Sequence, residues 1–183
     1  MKHLLTLHIV DCEFFRRAEG LGQLSKLREL DLDGAGSLDN IDELAQLQNL
    51  KILKLGGKNL RALDYFDSLT SLKELHVSEA TSLEDADFLA KIPHLKKLSF
   101  LSCPSLKALS ALAQLEKLES LELRGCDAIV DLSSLAELGK LRHLDLQGCD
   151  ALEIPVEGGK NKSWKEREQV EAFQKKLQAF RAM

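Results

Sequence analysis

Three residues with catalytic side chains alternate in one short stretch: Glu74, His76 and Ser78. In an extended strand they would point to one side as an acid, a base and a nucleophile in a row. Chemistry from such a row needs two further conditions. The groups must come within hydrogen-bond reach of one another, and the site must exclude water or shift their pKa values. Alternate side chains of a strand stand ~7 Å apart, and an open strand surface does neither job. Gly158-Gly159-Lys160 lacks the preceding strand and the spacing of a phosphate loop. The four cysteines, Cys12, Cys103, Cys126 and Cys149, could form two disulfides, but they contain no C-x-x-C pair and no metal-type spacing. These residues predict no enzyme, no cofactor and no metal site.

The elements that carry these residues follow from one feature of composition. Of 183 residues, 39 are leucine, while aromatics make up 5% and charged residues 30%. No run of 18 apolar residues is present, so no membrane-spanning segment is expected. The amino end lacks the apolar run and small-residue cleavage site of a secretory signal. The pattern Leu-x-x-Leu-x-Leu begins at Leu4, Leu27, Leu50, Leu72, Leu95, Leu118 and Leu141, in steps of 23, 23, 22, 23, 23 and 23 residues. With the first leucine as place one, place twelve holds Phe15, Leu38, Leu60, Leu83, Leu106, Ile129 and Leu152 (the third unit is one residue short after its strand). A unit of this size cannot bury its apolar side alone, but stacked units share a continuous core. The Leu-x-Leu alternation gives each unit a short strand with leucines inward, and strands one period apart stack in parallel. Place sixteen reads Asp42, Asp64, Asp87, Ser110 and Ser133, residue types that favour helix N-caps, so short turns are expected on the far side.

The repeat strongly resembles the leucine-rich-repeat family over residues 4 to about 154, and its unit is similar to bacterial internalin-like and phosphatase-regulator repeats. The LDLQGCDAL segment also looks like repeats of plant immune receptors. The resemblance implies an α/β fold: a right-handed leucine-rich-repeat solenoid, a horseshoe or superhelix, with a parallel concave sheet and short helical or 3-10 convex turns. It also implies that place nine, which holds all four cysteines, carries a buried residue that hydrogen-bonds the turn after the strand. Thiols held in such a ladder leave no fourth ligand for zinc, and as reduced buried groups they point to a cytoplasmic location. The Asn161-Lys162-Ser163 sequon then has no role. No wall anchor and no nucleotide-binding domain accompany the repeats, so the functions of internalins and plant receptors are not carried over.

Domain boundaries follow the period: a solenoid of about seven units over 1–155, a linker over 156–162 and a carboxy-terminal amphipathic capping helix over 163–183. Ser163 and Glu166 form a capping-box pattern, and Val170, Phe173, Leu177 and Phe180 make one apolar stripe. Trp164 is expected to anchor the helix by packing. At the amino end a repeat strand begins at Leu4. Either Phe14 and Phe15 fold over part of this coil, or its open edge meets a second copy and makes a homodimer, or the sequence is part of a longer protein.

Places three, five and seven of each strand face outward. From them we select as protein-binding residues Glu29, Asp31, Asp33, Ile52, Lys54, Glu74, His76, Lys97, Leu101, Glu122, Arg124, His143 and Asp145. His8, His76 and His143 lie three strands apart, ~14 Å, and cannot share a metal. Basic residues gather beside the strand starts (Lys26, Arg28, Lys51, Lys73, Lys96, Lys117, Lys140, Arg142). Acids such as Asp39, Asp42, Asp85, Asp87 and Asp131 follow the strands. The tail from Gly158 adds seven basic residues against three acidic ones. A polyanion could follow the basic edge, but a pI near 5.8 and no exposed aromatic set argue against nucleic acid. The expected function is a non-catalytic scaffold that binds a protein partner on the concave sheet. The alternatives are self-association through the amino-terminal coil and weak polyanion binding along the basic edge.

Overall fold

A computed structural model describes residues 3–38, 40–61, 63–152 and 162–181. Seven parallel strands follow one another in chain order: β1 (Thr6–His8), β2 (Glu29–Leu32), β3 (Ile52–Gly56), β4 (Glu74–Ser78), β5 (Lys97–Leu101), β6 (Ser120–Arg124) and β7 (His143–Asp145). An eighth, β8 (Ser163–Trp164), pairs antiparallel with β7, and helix α1 (Arg167–Arg181) closes the chain. Register is fixed by the period. Leu7, Leu30, Leu53, Leu75, Leu98, Leu121 and Leu144 align across the sheet as partners, all on the inner side. A slip of one residue would turn this whole column to water. From Leu30 to Leu144 the column is at most 1% exposed, whereas Leu7 in the first coil is only half-buried.

Each return segment carries a 3-10 turn, five residues long from the second onward, beginning at Asp42, Asp64, Asp87, Ser110 and Ser133. Asp42, Asp87 and Ser133 are not the caps that place sixteen suggested. The side-chain acceptors stand two residues earlier, where Asn40, Asp85 and Asp131 accept the backbone N–H groups of Asp42, Asp87 and Ser133 at 3.2, 3.2 and 2.7 Å. A tight turn of i to i+3 hydrogen bonds leaves different orphan donors from an α-helix, so the capping place shifts.

The chain leaves six of the seven parallel strands through the same backbone conformation. Asp11, Gly34, Glu79, Ser102, Gly125 and Gly148, all at place eight, have φ between 53° and 75°. The third unit omits that residue, which is why it is 22 long. Its shortened turn passes Gly56, where a Cβ would lie 2.6 Å from Asp33 Oδ1 and 2.7 Å from both Ser78 Oγ and the Gly34 nitrogen. Only glycine leaves room for this approach.

At the carboxy end the expected capping box is not formed. Ser163 belongs to β8, and α1 starts four residues later. Val170, Phe173 and Leu177 are buried against the last coil, and the Trp164 ring lies 4.8 Å from that of Phe173, as packing required. The side chain of Phe180, fourth in the stripe, lies outside the described residues, as does all of the linker before Lys162. Two α1 glutamines bond to backbone of the last coil. Gln174 Nε2 donates to the carbonyls of Leu135 and Leu138 at 2.7 and 3.1 Å, and Gln178 to that of Ala136 at 3.1 Å. The Leu135 and Leu138 carbonyls already accept the N–H groups of Leu138 and Leu141, so Gln174 uses their second lone pairs to tie the helix to the coil. No described helix is long and apolar enough to cross a membrane.

Candidate functional site: the outer face of the sheet

The strands project three columns of side chains away from the core. The first runs Thr6, Glu29, Ile52, Glu74, Lys97, Ser120, His143, and the second runs His8, Asp31, Lys54, His76, Ser99, Glu122, Asp145. In the third, Gly56, Ser78, Leu101 and Arg124 are aligned. Twelve of the thirteen selected residues lie in these aligned columns, and Asp33 follows the end of β2. They are not all exposed. Asp31 is 5% and Asp145 0% accessible, because each carboxylate folds back to accept the N–H two residues on (Asp33 at 3.0 Å, Gln147 at 3.1 Å) and is covered by a cation from a neighbouring strand.

Those cations make the face a lattice of ion pairs between coils. Lys54 meets Asp31 at 2.7 Å, Lys97 meets Glu74 at 3.0 Å, and Arg124 holds Asp145 through Nε and Nη2 at 2.8 and 2.7 Å. Glu29 and Glu122 face histidines instead, His8 at 3.3 Å and His143 at 3.5 Å. Asp33 accepts the Ser78 hydroxyl from two coils away, across the gap that Gly56 leaves open. This bridge was not anticipated. Its signal in the sequence is the Gly56-Gly57 pair in the one short unit.

Burial pushes the pKa of Asp31 up, but the Lys54 hydrogen bond, the Asp33 N–H and the charges of Lys54 and His8 outweigh it and hold the carboxyl below its usual value. The pair therefore adds stability above the ordinary aspartate range, and that stability fades as pH falls through the depressed value. Lys54→Met removes the cation, so the acid limb of a stability-against-pH curve is expected to move to higher pH. Chemical denaturation from pH 2 to 7 measures it, and an unmoved limb would refute the assignment.

His76 stands at the centre of the face, half-buried and without a hydrogen-bond partner among the described residues. Desolvation lowers its pKa, as do the charges of Lys54 and Lys97, against opposing contributions from Glu74 and Glu122. Glu74 is tied to Lys97 rather than to His76, so the row of acid, base and nucleophile is not assembled into a relay. Among the described residues no group of three His, Cys, Asp or Glu side chains could hold a metal.

The cysteines divide. Cys103, Cys126 and Cys149 are buried in consecutive coils, and their thiols donate to backbone carbonyls of the preceding coil: Val77 at 3.8 Å, Phe100 at 3.6 Å and Leu123 at 2.7 Å. Burial raises the Cys149 thiol to about 11. Cys12, expected in the same ladder, is exposed in the first of the described coils.

At the strand starts the basic edge is partly spoken for, since Lys96 meets Glu119 at 3.1 Å. Lys26 and Lys117 lie 3.4 and 3.3 Å from His3 and His94. Asp39 lies outside the described residues.

No family model matches the chain, and no curated protein does. Solved structures do. The leucine-rich-repeat domain of the type III effector XopL is 32% identical over 57% of this chain, with a TM-score of 0.50. This chain spans 36% of that one. Internalin C2 from Listeria monocytogenes is 21% identical with a TM-score of 0.50, covering 75% of this chain and 68% of its own. A leucine-rich-repeat protein of Leptospira interrogans is 20% identical with a TM-score of 0.50, covering 76% of this chain and 39% of its own. The 23-residue period, the aligned leucine columns, the 3-10 returns and these neighbours agree on the fold: the chain is a leucine-rich-repeat solenoid.

Proposed function

We propose that this solenoid is a non-catalytic scaffold whose outer sheet face binds a protein partner, through the thirteen residues from Glu29 to Asp145 selected above. The observation that carries this reading is the charge balance of the face. Its three cations, Lys54, Lys97 and Arg124, are each within 3.0 Å of a carboxylate, while Glu29, Asp33 and Glu122 have only histidine or serine partners. Ile52 and Leu101 add half-buried apolar area among these groups. A partner suited to the face brings cationic groups to those three carboxylates and an apolar contact to the two side chains between them. The double substitution Ile52→Glu, Leu101→Glu leaves the core untouched. It is expected to abolish retention of a protein that the wild-type chain captures from its native cell extract, and equal retention by both refutes the face.

The buried thiols suit a reducing compartment, which supports a cytoplasmic site of action. Polyanion binding along the basic edge has weaker support, because Lys96 is already paired. Self-association is the second reading, favoured by the apolar side chains that the first coil exposes: Leu5, Val10 and Phe14.

A further inference from the structure

The repeat supplies its own control for the first coil. At place two the other six units carry Arg, Lys or Glu, and the first carries Leu5, 48% exposed. At place eleven the others carry Ser, Asn or Ala, and the first carries Phe14, 88% exposed. At place seven, where only Leu101 is apolar elsewhere, stands Val10, 46% exposed. Phe14 therefore does not fold over its own coil, and Leu4, Leu7, Ile9 and Phe15 beside it are only partly buried. Three of the four large apolar side chains exposed among the described residues belong to this coil (the fourth is Val130), and such a concentration marks a covered surface.

The sheet itself says what covers it. Leu5, Ile9 and Asp11 spend their backbone groups on β2, so those of Thr6 and His8 face outward from β1. At the other end β7 is closed by β8 and α1. Among the described residues β1 is thus the sheet's open edge, and a second copy has only the same edge to offer. Like edges meet about a two-fold axis, and the strands then run antiparallel. Charge favours the same arrangement. Lys26 and Arg28 lie beside the strand start, Asp11 and Glu13 beyond its end, and none of the four has an oppositely charged partner among the described residues. A two-fold rotation sets the basic end of each copy against the acidic end of the other.

We propose that two copies of this chain join β1 to β1, antiparallel and centred on Leu7, with Thr6 of each hydrogen-bonded opposite His8 of the other. Leu5, Val10 and Phe14 are covered at the junction, and the two sheets become one. This rests on the self-association reading and adds its geometry.

Sedimentation of the full chain at tens of micromolar is expected to show a dimer. Phe14→Glu, at a side chain too exposed to matter for folding, is expected to weaken it by about thirtyfold or more. A wild-type monomer overturns the reading and the geometry together. Geometry is tested separately with Leu7→Cys in a Cys12→Ser background, treated with diamide. Residues opposite one another at a non-hydrogen-bonded antiparallel position lie ~4.5 Å apart at Cα, within disulfide range. A disulfide-linked dimer that is lost on adding Phe14→Glu supports the junction. A dimer in sedimentation that does not cross-link overturns the β1 geometry while leaving self-association standing. Circular dichroism confirms that each variant is folded.

Discussion

Phe173→Asp is expected to lower stability by about 3–5 kcal/mol, the usual cost of losing a buried phenylalanine, with an unpaired carboxylate added in its place. Phe173 is 5% exposed and packs on Trp164, and with Val170 and Leu177 it is buried in the core cluster against the last coil. The distribution of the loss is as informative as its size. In a solenoid each coil touches only its neighbours, so damage at one end spreads by steps rather than at once. Native-state hydrogen exchange should therefore show protection falling first in β7 and β6, while β3 and β4 keep theirs. An even loss along the whole chain would mean that the coils unfold as one unit and that α1 is more than an end cover.

Leu98→Ala should cost a similar amount, about 2–5 kcal/mol. Leu98 is 1% exposed and has a coil on either side, so the cavity it leaves has no edge through which to collapse. Leu7 occupies the same place in the first coil but is half-buried with a coil on one side only. Leu7→Ala, measured by denaturation at a concentration low enough to keep the chain monomeric, should cost less than half as much. Equal costs would show that the first coil is as well covered as the middle of the stack. This pair of measurements compares one residue type at one place of the repeat, leaving position in the stack as the variable.

The periodic leucines made the core and the strand register legible without coordinates, because a strict period leaves one way to stack the units. The outward columns follow from the same alternation, and the residues picked for binding stand where the pattern put them. Interactions between units were not legible. That Asp145 is buried under Arg124, or that Asp33 reaches Ser78, depends on side chains from different coils meeting at a 4.8 Å spacing, which no single unit reveals. The capping residues were misplaced because an Asp or Ser beside a turn fits several hydrogen-bonding schemes, and only the 3-10 geometry selects Asn40, Asp85 and Asp131. Ser163 and Glu166 misled for a related reason: a capping-box pattern is short, and the free edge of β7 had a stronger claim on that segment. Cys12 shares its place with three buried thiols but stands in the first described coil, where it is exposed.

The glutamines of α1 recognise backbone rather than side chains. Gln174 and Gln178 donate to the carbonyls of Leu135, Ala136 and Leu138, and one period earlier the same places are held by Leu112, Ala113 and Leu115. A chain shortened by one unit would present the helix with the same three residue types on the same 3-10 scaffold. The closing element is in this sense interchangeable along the array. Duplication or loss of whole 23-residue units can lengthen or shorten the molecule without any compensating change in the segment that ends it.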